Sequence, residues 1–60
     1  MKNATYILTV EFSDDPHNEV EEEFTSRNKA IKRYDEVSWE NDAELHEFSG
    51  SFHDVIRSTH

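Results

Sequence analysis

Over residues 4–12 the side chains alternate. Tyr6, Leu8, Val10 and Phe12 fall on one side of an extended chain, and Thr5, Thr9 and Glu11 on the other. A period of two predicts a strand with one buried face, Ile7 being the apolar exception on the polar side. Residues 13–18, Ser-Asp-Asp-Pro-His-Asn, read as a turn, because Pro16 removes a backbone donor and biases Asp15 towards an extended conformation. The alternation resumes over residues 19–25 as a return strand, with Val20 and Phe24 inward and Glu19, Glu21 and Glu23 outward. Glu22 breaks the pattern, since its phase places it with Val20 and Phe24. A carboxylate there belongs at an open sheet edge or beside a cation, because burying it unpaired is costly, and an inward charge also guards an edge against strand addition.

The period then changes to that of a helix. Ser26 suits an N-cap, and Ala30, Ile31, Tyr34 and Val37 form one apolar stripe for the sheet. Trp39 falls near the helix end and Asn41-Asp42 marks the exit. Arg27, Lys29, Lys32 and Arg33 crowd the first turns and Asp35, Glu36 and Glu40 the last, opposite to the preference of the helix dipole. A Lys32–Glu36 pair would recover only about 0.2–0.5 kcal/mol. The cations either neutralise the neighbouring acidic strand, the reading we favour, or form a second contact patch.

Residues 43–48 and 52–57 read as two further strands around Ser49-Gly50-Ser51, a three-residue turn with Gly free to take a positive φ. Ala, Glu and Leu make a helix an open alternative before the turn. This pairing places Phe48 opposite Phe52, Leu45 opposite Val55, His46 opposite Asp54 and Glu47 opposite His53. The expected fold is α+β: an antiparallel sheet of three or four strands with one helix on one face, in the order β-β-α-β-β. Residues 1–60 form a single small domain.

Composition narrows the function more than it names it. The net charge is -8, and seven of the 14 acidic residues lie between residues 11 and 23. Such a balance disfavours nucleic acid as a direct ligand and anionic membrane as a surface, and it favours fast, salt-sensitive association with a basic partner. No apolar run of signal-peptide or membrane-spanning length occurs, so a cytoplasmic protein is expected. With no cysteine, neither a disulfide nor a thiolate metal site staples the fold. Self-association is the remaining common way for so short a chain to bury more surface, which keeps a homodimer open.

The chemistry-bearing residues are few. His beside carboxylate is raw material for a general base or a pH switch, but the two expected pairs, His46/Asp54 and Glu47/His53, lie on different faces with no nucleophile beside either. Cross-strand stabilisation is the simpler reading. His17, His46, His53 and His60 lack the spacing of a metal motif, and residues 14–18 lack that of a calcium loop. No catalytic residue, metal site or cofactor is expected. The acidic row remains: Glu19, Glu21 and Glu23 recur about every 6.4–6.8 Å along one strand face, extended by Glu11, Asp14 and Asp15. Such a row could imitate a nucleic-acid backbone and occupy a basic groove, or it could be a solvated edge.

In its small size, acidity, lack of cysteine and layout, the chain is similar to small bacteriophage early proteins. The likeness rests on the strand over residues 6–12, the acidic strand over residues 19–23 and the Ala30-Ile31-Tyr34-Val37 stripe. It implies host takeover or anti-defence: binding and inhibition of host RNA polymerase, or neutralisation of toxins or defence nucleases, in the host cytoplasm. The expected function is a non-enzymatic protein-binding module that inhibits or modulates a nucleic-acid-handling protein through Glu11, Asp14, Asp15, Glu19, Glu21 and Glu23. The alternative is a homodimeric assembly subunit, joined through a sheet edge or through Trp39 and Phe48. A sensor built on His46, Glu47, His53 and Asp54 stands third.

Overall fold

A computed structural model describes residues 4–59, Pro16 through its backbone alone. The chain runs β1 (Thr5–Phe12), β2 (Asp15–Phe24), α1 (Arg27–Val37), β3 (Asp42–Ser49) and β4 (Phe52–Ser58). The four strands make one antiparallel sheet in the order β2-β1-β3-β4, so the α+β layout expected from the alternation and the helical stripe is the one found.

The alternation of β1 decides where the core sits. Tyr6, Leu8 and Val10 are buried towards the helix, joined by Ala43 and Leu45 of β3 and by Ala30 and Tyr34 of α1. Leu8 and Leu45 stand opposite each other in the ladder, both with no exposed surface. Phe12, Phe24, Ile31, Val37 and Ile56 cover the margins. This is one thin apolar layer. Val20, opposite the buried Val10, faces the same side yet stays exposed.

Capping sets the helix ends. The Ser26 hydroxyl accepts from the Lys29 amide at 3.4 Å, satisfying one of the orphan donors of the first turn. At the other end the Asn41 amide nitrogen donates to the Val37 carbonyl (3.1 Å), while its oxygen accepts from the Ser13 amide (3.2 Å). One side chain thus ties the helix exit to the β1–β2 turn.

Two expectations about the strands need correction. The first turn is Ser13-Asp14 alone, and β2 begins at Asp15 rather than at Glu19. Asp15 pairs with Phe12, and the regular ladder resumes with Glu19 opposite Glu11. Residues 16–18 therefore stand outside the ladder, as a bulge does. An edge strand tolerates Pro16 there because no outer strand needs its missing donor.

The second correction is larger. The β3–β4 loop has two residues, Gly50-Ser51, with Ser49 paired to Phe52 and Gly50 at φ 60. A glycine of positive φ at the first central position is what a two-residue type II′ hairpin requires. The register is one residue away from that expected: Phe48 opposes His53, Glu47 opposes Asp54, and His46 opposes Val55. A one-residue slip turns every side chain to the other face. The expected His46/Asp54 and Glu47/His53 pairs do not form. A further irregularity between Leu45 and His46 brings Arg57, not Val55, opposite Leu45.

Candidate protein-binding face

The helix covers one face of the sheet and leaves the other open. On the covered face, Arg33 pairs with Glu22 at 3.2 Å and with Glu36 at 3.3 Å, so Glu22, on the edge strand β2, has both the open edge and the cation that were the alternatives for its inward phase. Both carboxylates favour the guanidinium and hold the Arg33 pKa above its ordinary value, Glu22 foremost. Arg33, rather than Lys32, takes Glu36. Arg27 approaches Glu47 at 3.9 Å, and the Tyr6 hydroxyl donates to the other Glu47 oxygen at 3.3 Å. Burial, reinforced by the Glu47 charge, raises the Tyr6 pKa. These pairs account for the reversed charge order of α1: two of its cations neutralise carboxylates turned towards the helix.

The open face is built from the alternate residues. In the ladder Glu11 stands between Glu19 of β2 and Asp42 of β3, Thr9 between Glu21 and Glu44, and Ile7 between Glu23 and His46. Six carboxylates on three adjacent strands thus share one surface. Among the described residues no Lys or Arg forms an ion pair with any of them. A depression of about 260 Å³, lined by Thr9, Glu11, Glu19, Asp42, Ala43 and Glu44, lies at the Glu11 end of this surface.

Beyond the acidic rows the same face turns aromatic. The rings of His46, Phe48 and His53 lie nearly parallel, Phe48 stacked on His53 at 4.3 Å between ring centres. His46 Nδ1 lies 2.9 Å from His53 Nε2, and His46 Nε2 lies 3.4 Å from a Glu44 oxygen. A second depression, of about 190 Å³, joins the two regions, lined by Ile7, Thr9, Glu21, His46, Phe48 and His53.

Of the residues singled out from sequence, Glu11, Glu19, Glu21 and Glu23 come together on this face. Asp14 sits in the exposed turn. Asp15 pairs with Phe12, whose phase is that of the covered side, and so leaves the row. Asp42 and Glu44 were missed; only the β1–β3 register brings them in, and nothing local in the chain specifies it. Trp39 is 88% exposed on the loop after α1. Phe48 is 39% exposed, six residues along β3 from Asp42. Among the described histidines only His46 and His53 meet. His17 stands in the β2 bulge, and His60 lies outside the described residues. Among the described residues no group of three or more His, Cys, Asp or Glu is arranged to hold a metal ion, and no helix is long and apolar enough to cross a membrane.

No family model matches the chain, and neither a curated protein nor a solved structure matches it.

Proposed function

We propose that the chain is a non-enzymatic protein-binding module that engages a basic surface of a nucleic-acid-handling protein through the open face of its sheet. The observation that carries this reading is the array of Glu11, Glu19, Glu21, Glu23, Asp42 and Glu44 on three neighbouring strands, none of them paired with a Lys or Arg among the described residues. Like charges placed directly opposite are unfavourable across a sheet, so the array costs the fold something that a cationic partner would relieve. Presented as a fixed two-dimensional pattern, it would compete with a nucleic-acid backbone for a basic groove and inhibit or modulate the protein that owns it. Inhibition of a host polymerase, toxin or defence nuclease, as the resemblance to phage early proteins implies, is the setting we favour.

The test is charge reversal at Glu19, Glu21 and Glu23, made to Lys with the fold checked by circular dichroism. Partner binding is lost and the salt dependence of the residual association flattens. Unchanged binding by a folded variant eliminates the reading.

A second reading, a homodimeric assembly subunit, is favoured by β4, an edge strand on which Phe52 and Val55 are 53% and 43% exposed. Sedimentation separates the two: an apolar self-association holds or tightens as salt rises, whereas the electrostatic complex weakens.

A further inference from the structure

On the open face the carboxylates abut a plate of rings. His46 and His53 are 5.1 Å apart between ring centres with 21° between their planes, and their contacting nitrogens are 2.9 Å apart. That centre-to-centre separation is what results when both centres and both nitrogens lie on one line. The two imidazoles are thus edge to edge, joined by a hydrogen bond in their common plane. Such a bond needs one nitrogen as acceptor, so at least one ring is neutral. Phe48 backs the plate, 4.3 Å from His53 with 8° between planes and 6.2 Å from His46 with 13°. The plate forms one wall of the 190 Å³ depression, Ile7 adds apolar surface, and Glu21 lies across from it. Thr9, a small residue, stands between Glu21 and Glu44 in the ladder and keeps the slot open.

A surface of carboxylates alone attracts any cation. A slot with a flat ring wall and a carboxylate rim distinguishes among them. A guanidinium is planar, weakly hydrated and forked: it stacks on rings while donating two hydrogen bonds to a carboxylate. An ammonium gains the charge attraction but has no flat face and holds its water more tightly. We infer that this depression is an arginine-recognition site, in which a partner's guanidinium stacks on the His46–His53 plate that Phe48 backs and donates to Glu21. The occupant is an arginine-bearing protein segment, selected by the charge of the face and the shape of the slot together. The inference rests on the protein-binding reading above and sharpens it from a basic surface to a specific side chain.

Two peptides of equal length and charge, Ac-GRGRGR-NH2 and Ac-GKGKGK-NH2, test it by ¹⁵N chemical-shift titration of the intact chain at low salt. The arginine peptide binds about threefold to tenfold more tightly than the lysine peptide, the range of a partly exposed cation–π contact plus its hydrogen bonds. Its largest shifts fall on Thr9, Glu21, His46, Phe48 and His53. Phe48→Leu brings the ratio of the two affinities to about one, and the ratio and shift map in the unsubstituted chain stand without it should that variant unfold. Equal affinities for both peptides, or shifts confined to Glu11, Glu19 and Asp42, overturn the arginine site while leaving the acidic binding face intact. Failure of both peptides to bind overturns the arginine site and the acidic-face reading together.

Discussion

Replacing Glu11 by Gln should make the protein more stable. Glu11 sits at the end of the central strand β1, directly opposite Glu19 on one side and Asp42 on the other. Directly opposed residues in an antiparallel sheet have Cβ atoms about 4.5–5.5 Å apart, and an opposed charge pair is worth roughly 0.2–1 kcal/mol. Glutamine keeps the size and removes both repulsions, so the expected gain is about 0.4–2 kcal/mol at low ionic strength. For a domain of this size each 1 kcal/mol raises Tm by about 4–8 °C, which is readily measured. The assay is urea unfolding followed by circular dichroism, with and without the substitution, in about 10 mM and about 500 mM NaCl. Screening shortens the reach of exposed charges from about 30 Å at 0.01 M to a few Å near 1 M. The gain therefore shrinks at high salt, and the unsubstituted protein itself becomes more stable as salt is added. A neutral or destabilising Glu11→Gln at low salt, or a wild type indifferent to salt, refutes the view that the array strains the fold.

Leu45→Ala should cost about 2.7–5.0 kcal/mol, since a fully buried leucine opposite Leu8 leaves a cavity in a layer with nothing behind it; a loss under about 1 kcal/mol by urea unfolding would contradict that packing. Tyr6→Phe should flatten the alkaline limb of stability. The folded state holds the Tyr6 proton above its ordinary value of 10.0, so the unfolded chain releases it first, and stability present below about pH 10 is lost as pH rises beyond it. Equal alkaline slopes for the two proteins would remove the Tyr6 contribution. Trp39→Ala should change stability by less than about 0.5 kcal/mol, as expected of an exposed side chain, and a larger loss would mean that the ring is packed.

What could be read from the chain was whatever depends on near neighbours. The period of two in β1, the Ser26 cap and the helical stripe all follow from residues a few positions apart, and each appears in the fold. The β3–β4 register escaped because Ser-Gly-Ser suits either a two- or a three-residue loop, and only the φ of Gly50 distinguishes them. That single residue decides whether His53 faces Glu47 or joins His46, so the ring plate was invisible. The start of β2 at Asp15 escaped for a different reason. A proline argues against strand in a central position, but β2 is an edge and bulges at residues 16–18. Asp42 and Glu44 enter the acidic face only through their pairing with a strand some thirty residues earlier, set by the hydrophobic registry of Leu8 with Leu45. The candidate site was therefore legible along β2 and hidden across the sheet.

The most direct test of the binding face compares two baits, the unsubstituted chain and a folded Glu11→Gln, Glu19→Gln, Glu21→Gln, Glu23→Gln variant, immobilised in parallel and exposed to extract from cells that express the protein. Retained proteins are quantified by mass spectrometry across a salt gradient. A basic protein retained by the first bait, eluting as salt rises and missing from the second, is the predicted result. The same protein retained by both, with the same elution, would contradict it.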